Sequence, residues 1–423
     1  MSQVGFPLTW KLEKLSSVAD VVDPHPSHRA PPKVDDGIPF VGIGDVSTDG
    51  SVDFSRARLV SYKILEEHRQ RYSLDDSLIG LGRVASVGKV VRLPDASYEY
   101  VVSPTLAVVR PFDVDYKFLF YALQSPDFQT QLNSNKQGSG RESVGITRLR
   151  VLEIPIPLRR EQKKIVEILE EQLSRLDAAL ASVRAVREKS ARFRRSLLHA
   201  AFAGAITGHG AKEGAPPTGW KEAVLGDVCK VVSGSTPKTN VSKYWGGEIP
   251  WLTPNDLSKN RSKFVLGGER FITQDGFDSC STQMVPEGAV LFTSRAPIGY
   301  VAIAGVSMCT NQGFKSAIPG DEISSEFLYW QLQNLTDDIR SRASGTTFLE
   351  ISGRGFAATK IVLPSLSEQE RIVEILEEQF SRLDASLAIA DVIEKKAAAL
   401  RRSLLHAAFS GNLTKEWREG AHV

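Results

Sequence analysis

Two stretches of this sequence occur twice, at one fixed distance. EQKKIVEILEEQLSRLDAAL begins at Glu161 and returns as EQERIVEILEEQFSRLDASL at Glu368, 207 residues later. At the same offset RRSLLHAAFAG (194–204) returns as RRSLLHAAFSG (401–411). Aligned without a gap, 29 of the 44 positions in 161–204 match those in 368–411. The period is far longer than the roughly 20–50 residues of a solenoid repeat. The duplicated unit is therefore a globular domain followed by one long helix.

Both copies carry a helical pattern. Val166, Leu169, Leu173, Leu176, Leu180 and Val183 follow a 3,4 spacing, and Val373, Leu376, Phe380, Leu383 and Leu387 repeat it. This is a heptad seam with charged residues on the other faces. Past Val183 the seam is expected to continue through Val186, Ser190, Phe193 and Leu197. In the second copy it continues through Ala390, Ile393, Ala397, Leu400 and Leu404. Pro157 and Pro364 precede the helices, and Gly204 and Gly411 follow them. Some 40 residues make a rod of roughly 60 Å. A helix that long with an apolar stripe needs a mate, and the other copy is the obvious one; a coiled coil between two chains is the alternative.

The 423 residues are enough for two or three domains with real cores, and 42% of them are hydrophobic. No apolar run approaches the length of a membrane span, and the N-terminal residues lack the pattern of a secretion signal. Cys229, Cys280 and Cys309 show no CxxC spacing, which fits free thiols in a reducing cytoplasm. Net charge is +2, and neither globular part is basic: 1–150 holds 18 basic and 18 acidic side chains, 218–360 holds 14 of each. A nucleic-acid partner would then require charge gathered on one face.

The layout is expected to be a first domain (1–157), a central long helix (158–204), a Gly/Pro-rich linker (205–217), a second domain (218–364), a C-terminal long helix (365–411) and a frayed polar tail (412–423). Within the domains the order of segments repeats weakly. GWKEAVLGDVCKVV answers WKLEKLSSVADVV, EIPWLTPNDLS answers GIPFVGIGDVS, and EFLYWQLQ answers KFLFYALQ. Strand-like and helical runs mix without βαβ alternation, so each domain reads as α+β. Near-identical helices with divergent domains suggest one rod carrying two recognition surfaces.

Catalytic motifs fail on inspection. Gly80-x-Gly82-x-x-Ala85 is followed by a β-branched run rather than a helix, which rules against a dinucleotide loop. Gly82 to Lys89 has five residues between its glycines and Val90 where magnesium needs a hydroxyl. Pro94-Asp95 with Glu99 lacks the lysine of a nuclease site. His199 and His406 match across the repeat and sit near helix C-termini, where a cation is favoured. What remains is binding chemistry. Polar, glycine-flexible loops place Lys136, Arg141 and Arg148 in the first domain, and Lys238, Lys243, Lys259, Arg261, Lys263 and Arg295 in the second. Ammonium, guanidinium, amide and hydroxyl groups on such loops suit phosphates and base edges.

With these features the chain resembles the specificity subunit of type I restriction–modification enzymes. The resemblance rests on VVSGSTPKTNVSKYWGGEIPWLTPNDLS (231–258), the helix starts after Pro157 and Pro364, IVEILEEQ in both copies, and RRSLLHAAFAG/RRSLLHAAFSG. It spans essentially the full length, although VVDPHPSHRAPPKVDDGIPFVGIGDVS departs from the pattern in the first domain. The resemblance implies two α+β target-recognition domains joined by two long helices packed as an antiparallel coiled coil, in a pseudo-twofold repeat. Each domain would read one half of an asymmetric bipartite site on double-stranded DNA, with the helix pair setting the gap. The subunit would be non-catalytic and cytoplasmic, without cofactor or metal. It would work with two methyltransferase subunits and, in a full enzyme, two restriction–translocase subunits; S-adenosylmethionine and ATP would bind on those partners only. The helix-pair interface would be Val166, Leu169, Leu173, Leu176, Leu180 and Leu197 against Val373, Leu376, Phe380, Leu383, Leu387 and Leu404, and Glu167, Glu170, Glu171, Glu374, Glu377 and Glu378 would face methyltransferase helices. The competing reading is a two-headed adaptor that binds proteins rather than DNA.

Overall fold

A computed structural model describes residues 7–25, 30–47, 51–75, 77–94, 99–138, 140, 142–210, 216–259, 262–345 and 349–420. Its two long helices run Arg159–Phe202 and Leu366–Phe409, 44 residues each. The chain divides into two compact units, and the divisions fall inside these helices. Unit 1 takes residues 1–183 and 391–423, and unit 2 takes 184–390. Each unit is thus a globular head plus half of each helix.

In unit 1 the strands are β1 (Lys11–Lys14), β2 (Ala19–Val22), β3 (Ile38–Val41), β4 (Arg58–Val60), β5 (Ile79–Gly82), β6 (Val90–Arg92), β7 (Val101–Val102), β8 (Leu106–Pro111) and β9 (Glu153–Ile156). They form sheets in the order β2-β8-β5-β6, β4-β3-β7 and β1-β9. Unit 2 repeats the plan with β10 (Lys221–Val224), β11 (Cys229–Ser233), β12 (Trp245–Leu252), β13 (Phe264–Val265), β14 (Arg270–Ile272), β15 (Val290–Thr293), β16 (Val301–Ala304), β17 (Cys309–Thr310), β18 (Phe314–Pro319) and β19 (Lys360–Leu363). Its sheets run β11-β18-β15-β16-β13, β14-β12-β17 and β10-β19. The weak sequence echoes thus correspond to one topology, to which the second head adds β13, paired parallel to β16.

Each head is seated on its helices by the same residues of the repeat. In unit 1, Leu169 and Leu173 of the first helix and Leu405, Ala408 and Phe409 of the second share a core with Phe118, Leu119 and Phe128. In unit 2, Leu198, Ala201 and Phe202 share one with Val373, Leu376, Phe380, Phe327 and Trp330. Within unit 1 Arg401 pairs with Asp177 at 3.0 Å, and Thr414, beyond the second helix, bonds Glu161 at the start of the first. Within unit 2 Arg194 pairs with Asp384 at 2.5 Å, and His209 with Glu368 at 3.1 Å. Inside each unit, residues rising along one helix meet residues falling along the other, so the halves pack antiparallel. Gln162 and Gln369, both buried, complete the joints. Each accepts a bond from the head's backbone, Asp115 N or Ser324 N at 2.9 Å, and donates to the carbonyl of Pro157 or Pro364.

The seam differs from the expected one in its middle. Val186, Phe193, Ile393 and Leu400 are exposed, at 44, 46, 41 and 50%. Of the positions expected there, Ser190, Ala390 and Ala397 are the buried ones. A side chain seven residues on lies about 20° from the first, whereas one three residues on lies about 60° away. Only one residue per heptad stays inward there, and small residues occupy it. Towards the ends, Ile165, Leu198, Ile372 and Leu405 are buried, while Leu197 and Leu404 are partly so. Leu176, Leu180 and Leu387 are half-exposed.

The C-terminal tail is also corrected. Lys415–Gly420 is a helix, docked because Glu161, only 4% exposed at its side chain, draws Thr414, Arg418 and the Trp10 indole together. Residues 421–423 of that segment lie outside the described residues. No helix among the described residues is long and apolar enough to cross a membrane.

Candidate nucleic-acid interface

In both heads the polar loops gather at the turn that joins two antiparallel neighbours of the larger sheet, β5 to β6 and β15 to β16. In the first head the turn between β5 and β6 passes through Ala85 and Gly88, both at positive φ. The loop before the helix Ile146–Arg150 lies on this turn: Ala85 N donates to Glu142 O and Val144 N to Arg83 O, at 2.9 and 2.8 Å. The fingerprint-like glycines are therefore strand and turn residues. Arg83 is buried and bound to Asp23 at 2.7 Å.

Of the cations singled out in this head, Lys136 pairs with Glu142 at 2.8 Å inside that loop. Arg148 is exposed and reaches Asn135 Oδ1 at 3.4 Å. Arg141 lies outside the described residues, as does Asp95. Glu99 pairs with Arg69 at 3.0 Å.

The second head repeats this arrangement between β15 and β16, where Ala296 has φ +46°. Ile351 N bonds Ser294 O and Ser294 N bonds Gly313 O. Glu350 sits between two cations, Lys315 at 3.3 Å and Arg295 at 3.6 Å. Beside it the loop after β11 is closed against β17: Ser235 N donates to Thr310 O at 3.0 Å, and Thr236 Oγ1 to Gln312 Oε1. Lys238, Thr239 and Asn240 at its tip are exposed.

The remaining sequence-derived candidates divide. Lys243 pairs with Asp275 and Lys259 with Glu269, both at the exposed surface, and each carboxylate raises its lysine's pKa, chiefly by hydrogen bonding. Arg261 lies outside the described residues. Lys263 corrects its expected role. Its ammonium group is turned inward, 2.8 Å from Glu326 and in contact with Glu377 of the second long helix. Glu170, one repeat earlier, holds Lys117 at 2.9 Å. Glu170 and Glu377 therefore each tie a head to its helix, and Glu377 remains exposed. Their neighbours Glu171 and Glu378 pair along their own helices with Arg175 and Arg382.

Arg270, Lys315 and Gln312 were missed by sequence reasoning. Trp245 and Trp251 flank a register shift in β12, so strand alternation alone does not bring together the two indoles that Arg270 meets. Among the described residues no group of three or more His, Cys, Asp or Glu side chains is placed to hold a metal. Burial pushes the thiols of Cys229 and Cys309 up to about 11, as expected of unreactive cysteines. His406 lies 3.4 Å from Asp127, inside unit 1.

The family model described as "Type I restriction modification DNA specificity domain" matches the chain twice, over 7–181 and 217–395. The chain belongs to that family. Each match covers one head and the beginning of the helix that follows it, so this specificity chain carries the domain in duplicate.

The type I restriction enzyme MjaIX specificity subunit of Methanocaldococcus jannaschii is 38% identical over 186 residues, 44% of this chain and 43% of that protein. The EcoR124I/EcoR124II specificity subunit of Escherichia coli is 30% identical over 40% of this chain and 42% of its own length. These matches thus span less than half of those relatives. The StySPI specificity subunit of Salmonella potsdam is 24% identical over 91% of this chain and 84% of its own length.

Among solved structures, one described as the basis of complex assembly and conformational transition of the type I R-M system shares the fold, with a TM-score of 0.69. Identity there is 21%, over 96% of this chain and 99% of the other. The HsdS subunit from Thermoanaerobacter tengcongensis aligns with a TM-score of 0.52 at 20% identity, over 96% and 98% of the two chains.

Proposed function

We propose that this chain is the non-catalytic DNA-reading subunit of a type I restriction–modification enzyme. Each head reads one half of an asymmetric bipartite site, and the paired helices fix the gap between the halves. The observation that carries this reading is the double match of the family domain, one match per head, on heads that share a topology but diverge in sequence. Two different surfaces on one scaffold suit two different half-sites.

The helices are long enough for the task. At about 1.5 Å per residue each is roughly 66 Å long, against the roughly 34 Å between adjacent turns of a major groove. The remainder leaves room for partners, two methyltransferase subunits and, in a full enzyme, two restriction–translocase subunits. Phe193, Ile389, Val392 and Leu400 offer them apolar surface, exposed at 46, 62, 49 and 50%. S-adenosylmethionine and ATP belong on those partners in this reading.

The test is methylation mapping of a host genome with the chain intact and with it deleted. A bipartite methylated motif should vanish on deletion. Replacing 1–150 by the equivalent head of another specificity chain should change one half of the motif only. A methylation pattern indifferent to the chain, or a swap that alters both halves, would defeat the reading. The near-neutral heads, in which Lys136, Lys243, Lys259, Lys263 and Arg295 are ion-paired, favour the adaptor alternative. Binding to duplex DNA that falls steeply with salt separates the two, because phosphate contacts release counterions and protein contacts do not.

A further inference from the structure

Arg270 is held unlike five other cations of the second head. Lys243, Lys259, Lys263, Arg295 and Lys315 each lie against a carboxylate. Arg270 forms no ion pair among the described residues and is exposed. Its guanidinium carbon stands 3.3 Å from the centre of the Trp245 ring and 5.7 Å from that of Trp251. Stacking on a ring occupies the face of a guanidinium and leaves the N–H donors along its edge free for a ligand. It also fixes the side chain in advance, so less freedom is lost on binding.

The same indoles hold a loop. Trp245 Nε1 donates to the carbonyl of Lys238 at 3.2 Å, and Trp251 Nε1 to that of Ser235 at 3.0 Å. The two rings meet edge to face, 5.0 Å apart. Behind the loop, Gly234 is pressed so close to β17 that a Cβ there would stand 2.2 Å from the Thr310 and Asn311 carbonyl oxygens. The loop from Ser235 to Asn240 is therefore fixed at its base, while Lys238 and Thr239 extend into solvent.

We propose that Arg270 and Lys238, both seated through the Trp245 indole, form a clamp for the DNA backbone in the second head. The inference rests on the DNA-reading function above and assigns the phosphate contacts within it. An ammonium, an edge-on guanidinium and a threonine hydroxyl are donors that phosphate oxygens accept from many directions. Reading a base instead requires a fork aimed in the plane of one base pair. Trp245 is a positioning residue, since it reaches the phosphates only through Arg270 and Lys238.

The measurement is binding of the full-length chain to a mixed-sequence duplex between about 50 and 200 mM salt. Each lost phosphate contact lowers the salt slope by about 0.9, which makes the loss of affinity over that range about three- to fourfold smaller. Arg270→Ala and Lys238→Ala should each show this reduction. Arg270→Lys should keep the slope and bind several-fold more weakly, because an ammonium does not lie flat on the ring. Trp245→Leu should behave like Arg270→Lys, with charge retained and position lost. Should Trp245→Leu fail to fold, the two alanine variants of exposed side chains carry the test. Unchanged slopes in both, beside a steep slope for the natural chain, would overturn the clamp alone. A natural chain whose DNA binding ignores salt would overturn the clamp and the DNA-reading function together.

Discussion

Glu161 and Glu368 hold the same place in the repeat but bind different groups. Glu161 receives the Trp10 indole at 3.0 Å, the Thr414 hydroxyl at 2.7 Å and the Arg418 guanidinium, whereas Glu368 meets His209 at 3.1 Å. Removing the carboxylate at 161 would take the counter-charge from a largely buried guanidinium, which keeps its bonds to Thr414 and Gly411, and the acceptor from an indole N–H. Glu161→Ala should therefore cost unit 1 about 3 kcal/mol in denaturant unfolding, and Arg418→Ala less, since the remaining carboxylate keeps two donors. A loss below about 1 kcal/mol in Glu161→Ala would mean that the tail contributes nothing to the joint.

His68 gives the first head a pH dependence of its own. Burial, with smaller repulsions from His25 and Arg71, lowers its pKa from 6.5 to about 4, and its Nδ1 lies 3.1 Å from the Tyr72 hydroxyl. Between these values the unfolded chain takes up a proton that the folded head refuses, so stability is full above pH 6.5 and declines as pH falls towards 4. His68→Gln should flatten that decline in thermal melts at pH 4.5–6.5. A decline equally steep in the variant would place its cause elsewhere.

At the scale of elements, the last aromatic of each long helix anchors a head. Phe409 meets Phe118 with ring centres 5.2 Å apart, and Phe202 meets Phe327 at 5.3 Å. Both phenylalanines are at least nine-tenths buried, so truncation to alanine should cost about 3–5 kcal/mol. The loss should stay local: hydrogen exchange should loosen 1–183 with 391–423 in Phe409→Ala, and 184–390 in Phe202→Ala. Uniform loosening in either variant would contradict two separately packed units. The recurrence of HAAF at a fixed offset was legible, but the sequence pointed to Leu197 and Leu404 at these helix ends rather than to Phe202 and Phe409.

The middle of the helices was less legible. Of the positions expected on the seam there, Ser190, Ala390 and Ala397 are buried, whereas the larger apolar Phe193, Ile393 and Leu400 are exposed. The interface cations were legible as types but not as roles. Nothing in a run of loop residues shows that Lys263 turns inward to Glu326 and Glu377 while Arg270 lies flat on a tryptophan, since both outcomes depend on pairings distant in sequence.

At the scale of the whole molecule, the proposed ruler makes the strongest demand on the chain. The boundaries between the compact units fall after Val183 and after Ala390, within the helices and 207 residues apart, the same offset as the repeat. Every helix-to-helix pair described above lies on one side of both boundaries. Lengthening both helices at these points should therefore leave the packing inside each unit intact. Seven residues suit the purpose, since a heptad returns the buried stripe to within about 20° of its line, whereas four would leave it about 40° off. Seven residues add about 10 Å, or about three base pairs at 3.4 Å each. The double insertion after Val183 and Ala390 should thus shift the methylated motif to one with the same two halves and a gap about three base pairs longer. Insertion into one helix alone should abolish methylation, because the antiparallel pairs on one side could no longer meet. If the doubly extended chain still directed methylation at the original spacing, the gap would be set by something other than the length of these helices.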